Sequence, residues 1–272
     1  MIKTQFQKEL IISATQSRQG VANTKKDTLK VQSWLNLFAM NNSSAGTATG
    51  IDGDFGAATE KALINYQRAN GLRQTGICDQ ALFEKLSKQI ADAFTTIVPG
   101  NDLRTLIVNV ANQHLNSAPF ELVINGQSNC GPWVRAYMDG LEGTPQFWCM
   151  GFVQTIIDQA CSQLNKDFRI LMPVSFSCDT IGTTGLHKGL LSRFSVVRNN
   201  PQLVKPGDIF LLQKTPNDWV HTGLITAVHE ETFNTIEGNT NTDGSSNGNG
   251  VYKRVRNFRQ SKLDVFSIEP LV

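Results

Sequence analysis

Residues 219–240, WVHTGLITAVHEETFNTIEGNT, carry two apolar, β-branched runs joined by the short polar segment His229, Glu230 and Glu231. That spacing predicts two antiparallel strands in sequence. Side chains alternate between the faces of a strand, so His221, Gly223 and Ile225 fall together on the first. On the second, Phe233, Thr235, Glu237 and Asn239 share one face and Ile236 takes the other. Pairing the two strands can lay a carboxylate and an amide beside an imidazole. Outward from this pair, PGDIFLL (206–212), GVYKRVRNF (250–258) and LDVFSIE (263–269) read as further strands of one antiparallel sheet.

Upstream the apolar period lengthens to that of helices. DTLKVQSWLNLFA (27–39), GAATEKALINYQRAN (56–70) and CDQALFEKLSKQI (78–90) are expected to form a compact three-helix module. In the middle helix, Ala58, Ala62, Leu63, Tyr66 and Ala69 make the apolar face, and Gly71 is a normal stop. Pro99 and Gly100 break the chain, so the expected division is 1–100, with a helical core at about 27–86, and 101–272, which opens with the helix DLRTLIVNVANQHLN (102–116). Helices first and strands after indicate an α+β chain.

The composition is that of an ordinary globular protein: 272 residues, 40% hydrophobic, 18% charged and a formal charge of +2. No dense Lys/Arg stripe points to nucleic acid. No apolar run is long enough for a membrane span or a signal peptide, which predicts synthesis in the cytoplasm. The five cysteines are odd in number and carry no C-x-x-C pair, so at least one thiol is expected free. The loop TGIDGDFGAAT (49–59) lacks the alternating ligands and closing Glu of a calcium loop, and no cofactor or metal is expected.

Gly50, Gly53, Phe55, Gly56 and Thr59, followed by the Tyr66–Gln67 pair and Gly71–Leu72, resemble the small peptidoglycan-binding domain of cell-wall hydrolases. The resemblance implies peptidoglycan as partner. Asp52, Phe55 and Gln67 are the candidate polymer contacts it suggests.

In PQFWCMGFVQTIID (145–158) a cysteine stands where coil turns into an amphipathic helix. Unpaired N–H groups and the helix dipole favour a thiolate there. A nucleophilic cysteine needs a base, and the base needs an orienting group. Among the four histidines, His114 and His187 read as surface positions, and His229 as part of a solvated acidic cluster. His221 is flanked by apolar residues inside a strand, which a buried structural histidine would explain equally well. The polar pair Glu237 and Asn239 on the next strand favours catalysis, since either could accept the second imidazole N–H.

The segments around Cys149, PGDIFLL, HTGLI and TIEGNTN resemble the CHAP family of cysteine amidases and peptidases, related to the NlpC group with a papain-like arrangement. That resemblance implies Cys149 as nucleophile, His221 as base and acid, and Glu237 with Asn239 as orienting and polarising groups. Trp148 and Asn129, the latter in the Gly-Pro segment NCGPW (129–133), are candidate substrate contacts. Asp139 and Glu142 alone stand where some family members bind calcium. The expectation is a peptidoglycan amidase or stem or cross-bridge endopeptidase acting at the cell wall, as in a phage lysin or a secreted antibacterial effector. A holin or immunity partner is not visible in the sequence. A zinc amidase would need clustered ligands that the sequence does not offer, and an inactive wall-binding or phage-tail protein would have lost part of the Cys, His, Glu/Asn set. Acyl transfer would use the same residues.

Overall fold

The computed structural model describes residues 1–19 and 22–272. By compactness the chain forms two units, both discontinuous in sequence, in place of a single break near residue 100. A helical unit takes Thr4–Asp92 with Phe120–Gln146, and a sheet unit takes Met1–Lys3, Ala93–Pro119 and Phe147–Val272. The class is mixed α+β, with helices towards the N-terminus and the antiparallel sheet towards the C-terminus.

Nine α-helices occur among the described residues, so the N-terminal part is not a simple three-helix bundle. The first five are α1 (Lys25–Asn41), α2 (Ala57–Ala69), α3 (Gln80–Leu86), α4 (Lys88–Thr95) and α5 (Leu103–Asn116). Next come the hairpin β1 (Leu122–Ile124) and β2 (Gln127–Cys130), then α6 (Pro132–Tyr137) and α7 (Cys149–Gln163). The remainder is α8 (Cys178–His187), β3 (Leu191–Ser192), α9 (Phe194–Val197), β4 (Ile209–Thr215), β5 (Asp218–Val228), β6 (Thr232–Thr240), β7 (Gly250–Asn257) and β8 (Leu263–Phe266). The stretch expected as one helix over 78–90 is two, α3 and α4, parted at Ser87, whose backbone leaves helical geometry with φ of −91° and ψ of 9°.

In the helical unit, Thr24 caps α1 by accepting from the Asp27 N–H. The buried stripe of α2 is Thr59, Ala62, Leu63, Tyr66 and Gln67. Ala58 and Ala69, expected on the apolar face, are exposed, because the hydrogen-bonded Thr59 and Gln67 turn inward instead. Trp34 of α1 meets Trp133 of α6 edge to face at 6.2 Å. Arg135 of α6 grips both carboxylate oxygens of Glu9, at 2.9 and 2.7 Å.

The six strands of the sheet unit run in the order β3-β8-β4-β5-β6-β7, every pairing antiparallel. Phe210, Ile225, Phe233, Phe258, Leu263 and Val265 form a buried apolar cluster with Val197 and Val204. The helix α7 packs on β5 and β6, α5 packs on α7, and α8 packs on β5. Two glycines permit these approaches. A Cβ on Gly238 would come within 2.6 Å of Phe152, and one on Gly182 within 2.5 Å of the Trp219 ring. All five strands expected from 206–269 are present, whereas α8, which holds Cys178, was not anticipated.

Candidate active site

Cys149 is the first residue of α7, and Trp148 before it makes no side-chain cap. No side chain therefore caps the first turn, and the Met150 N–H there interacts with the Cys149 sulfur. The Cys149 thiol is held well below the ordinary thiol range: the Cys178 side chain bonds to it, and the His221 imidazole and the Met150 N–H add to the effect against the cost of burial. Cys178 is the first residue of α8, with its Sγ 3.9 Å from the Cys149 Sγ. Its own thiol moves the other way, well above the ordinary range, through the Cys149 sulfur and burial.

His221 lies in β5 opposite Leu212 of β4 and is fully buried. Its Nε2 is 2.9 Å from Glu237 Oε2. Its Nδ1 has no hydrogen-bond partner, which leaves that nitrogen available to the nearby Cys149 thiol. Burial alone would depress the imidazole, but its interactions with Cys149 and Glu237 outweigh it and raise the pKa to about 9. Burial would likewise raise Glu237, yet His221 and Arg256 hold it at about 2. At neutral pH these shifts favour a thiolate beside an imidazolium, with an ionised carboxylate behind.

Glu237 is saturated. Besides His221 it accepts from Arg256 Nε at 2.8 Å, Arg256 Nη2 at 2.5 Å and Thr235 Oγ1 at 2.5 Å. Arg256 also stacks its guanidinium over Phe210, 5.1 Å from the ring centroid. Sequence reading places Arg256 in a strand but gives it no role at the site. Its signal was present, since residue 256 shares the alternation of Glu237 once β6 and β7 are paired, but the register is needed to see it.

Asn239 departs from the expected alternation. The β6–β7 ladder shifts register between Glu237 and Thr240, and Asn239 takes a left-handed backbone with φ of 55°. Its buried side-chain amide has no hydrogen-bond partner, so Glu237 alone orients His221. Trp148 is fully buried beside Gly238 and is not a surface contact. A pocket of about 450 Å³ adjoins the thiol, lined by Cys149, Cys178, Phe147, Phe176, Asp179 and Trp219 among others. His114, expected on the surface, is wholly buried in the sheet unit; its Nε2 meets Gln159 Oε1 at 3.0 Å and burial depresses its pKa to about 4. Among the described residues, no group of three or more His, Cys, Asp or Glu side chains could hold a metal ion.

The remaining candidates lie in the helical unit, where they do structural work. Asp52 accepts from Gln32 Nε2 at 2.8 Å and from the Asp54 N–H at 2.9 Å. Phe55 is core, and buried Gln67 donates to Thr75 Oγ1 and accepts from the Gly76 N–H. Asn129, also buried and with φ of 53°, donates to Thr144 O. The residue that organises the glycine loop is Gln32: its Oε1 accepts from the Asp52 and Gly53 N–H groups, and its Nε2 also donates to Asp54 O and Thr59 Oγ1.

Residues 24–86 match the family model "Putative peptidoglycan binding domain". The match falls within the helical unit and supports peptidoglycan as its partner and the cell wall as its setting. No curated protein and no solved structure matches the chain. Among the described residues no helix is long and apolar enough to cross a membrane.

Proposed function

We propose that the sheet unit is a thiol hydrolase that cleaves an amide bond of peptidoglycan, while the helical unit binds the polymer. The observation that carries this reading is the buried file of Cys149, His221 and Glu237, with the imidazole fixed through Nε2 and its other nitrogen left to the sulfur. The resemblance of the same segments to the CHAP family of papain-like amidases supports it.

The Cys149 thiolate attacks the scissile carbonyl carbon, and the carbonyl oxygen takes up negative charge. The N–H groups opening α7, which no side chain caps, are the donors that would receive that charge. His221 gives its Nδ1 proton to the leaving amine as the acyl-sulfur bond forms. It then takes a proton from the water that releases the acid, and Cys149 leaves as thiolate. Glu237 stays ionised throughout, held by Arg256 and Thr235, and stabilises the imidazolium. The buried amide of Asn239 is free to polarise a substrate group. The bond cut is the one joining muramic acid to L-alanine or a peptide bond of the stem or cross-bridge.

The test is to incubate the wild type and Cys149→Ala with isolated peptidoglycan, following turbidity and identifying new termini by mass spectrometry. A free amine released by the wild type alone supports the mechanism and names the bond. Equal release by both proteins removes Cys149 as nucleophile, and binding without release by either leaves a wall-binding protein.

A further inference from the structure

The proposed hydrolysis needs one thiol, yet the pocket holds two. Cys178 brings its sulfur to 3.9 Å from that of Cys149, and both residues line the same pocket. Each sulfur sits in the first turn of its helix, and the two helices stand on different segments of the sheet unit. All five cysteines are free and buried; Cys78 and Cys130 turn their sulfurs to backbone carbonyls, whereas Cys149 and Cys178 turn theirs to each other. We propose that Cys149 and Cys178 form a peroxide-responsive dithiol, in which Cys149 is oxidised first and Cys178 closes a reversible disulfide that caps the nucleophile. The capping of activity rests on the hydrolase reading; the sulfur chemistry does not.

The two sulfurs are suited to different halves of the reaction. The Cys149 thiolate attacks one oxygen of hydrogen peroxide; the O–O bond breaks, an S–O bond forms, and the departing hydroxide takes a proton from the His221 imidazolium to leave as water. Cys149 is then a sulfenic acid. The Cys178 thiol gives up its proton as its sulfur attacks the Cys149 sulfur; the S–O bond breaks and hydroxide leaves with that proton as a second water. Two sulfurs have supplied two electrons to one peroxide, giving one disulfide, two waters and a neutral imidazole. The sulfurs must close from 3.9 Å to the S–S bond length of about 2.0 Å. A dithiol reductant reverses the change. Peroxide is small enough to enter the pocket, so the low exposure of the two thiols does not bar it.

The experiment uses the full reduced chain, titrated with hydrogen peroxide, blocked with iodoacetamide and mapped as peptides without reduction. The expected result is a linked peptide joining Cys149 and Cys178, abolished by dithiothreitol. In Cys178→Ser and Cys178→Ala, Cys149 passes instead to sulfinic acid. The proposal is overturned if wild-type Cys149 reaches sulfinic acid as fast as in the variants with no linked peptide. The linked peptide is read on the unmutated chain, so misfolding of a variant does not remove the test. Wall lysis assayed on the same samples separates the two readings. Linkage should lower lysis by about tenfold or more, with recovery on reduction. Lysis undiminished by linkage overturns the capping. Linkage in a chain that never lyses wall, even reduced, upholds the dithiol and removes the hydrolase.

Discussion

Glu237 accepts four hydrogen bonds from three side chains in a site closed to solvent. Replacing it with Gln keeps the shape but removes the charge that both His221 and Arg256 require. We expect Glu237→Gln to lose about 10²–10⁴-fold in wall cleavage. Stability should fall by about 3–5 kcal/mol, because a buried cation is left unpaired. Parallel lysis and urea-unfolding measurements check both, and unchanged stability would mean that Arg256 finds water instead. The pH behaviour follows from the signs of the shifts. The imidazole is raised on folding from 6.5 to about 9, so its stabilising effect is complete below 6.5 and is lost as pH climbs through about 9. Glu237 is lowered from 4.5 to about 2, so its effect is present above 4.5 and vanishes as pH falls through about 2. Alkylation of Cys149 by iodoacetamide should accordingly inflect well below the ordinary thiol value of 9.0, and lysis should decline on the alkaline side near 9. An alkylation profile centred on the ordinary value would sink the thiolate–imidazolium pair.

The way α7 meets the sheet places the nucleophile, and Gly238 makes that approach close. Gly238→Ala sets a methyl against Phe152 at 2.6 Å and Trp148 at 3.0 Å, both within a turn of Cys149. The expected cost is about 1–3 kcal/mol of stability. The loss of wall cleavage should exceed what the unfolded fraction explains, as read by activity per folded molecule. In the helical unit, Gln32→Leu removes the anchors of the Asp52, Gly53 and Asp54 loop. Loss of these part-buried bonds predicts about 1–3 kcal/mol of destabilisation, and peptidoglycan pull-down should weaken while soluble-fragment cleavage persists.

These elements also show where reading residues succeeds. Strands β4 to β8 follow from period-two runs and turn residues, while Cys149, His221 and the pair Glu237 and Asn239 are candidates from helix-start context, strand alternation and the family resemblance, with the choice within the pair open. Arg256 and Asn239 could not be placed, because strand register and the irregularity in β6 decide what each side chain meets. Cys178 escaped because its partner is a sulfur on another helix. His114 escaped because one amide, Gln159, makes its burial tolerable.

For the molecule as a whole, the units exchange segments in sequence. Residues Phe120–Gln146 complete the helical unit, where Trp133 meets Trp34 and Arg135 grips Glu9. A fragment ending near residue 100 therefore lacks both partners. It should melt well below the full chain, followed by circular dichroism, whereas an equally stable fragment would show that 24–86 suffices. If the sheet unit cleaves the polymer as proposed, binding raises the local concentration of its substrate, so variants impaired in binding are expected to lose activity on sacculi and keep it on soluble muropeptides.

The site is assembled from chain positions far apart. Cys149 opens α7, its base lies in β5, the carboxylate in β6 and the arginine that secures it in β7. A nascent chain that has made α7 alone therefore lacks the Cys178 and His221 side chains that hold the Cys149 thiol low, and the carboxylate behind His221 is secured only when β7 pairs onto β6. Thiol reactivity is thus a reporter of completed folding, and under the proposed hydrolase reading the chain becomes active only once the sheet has closed.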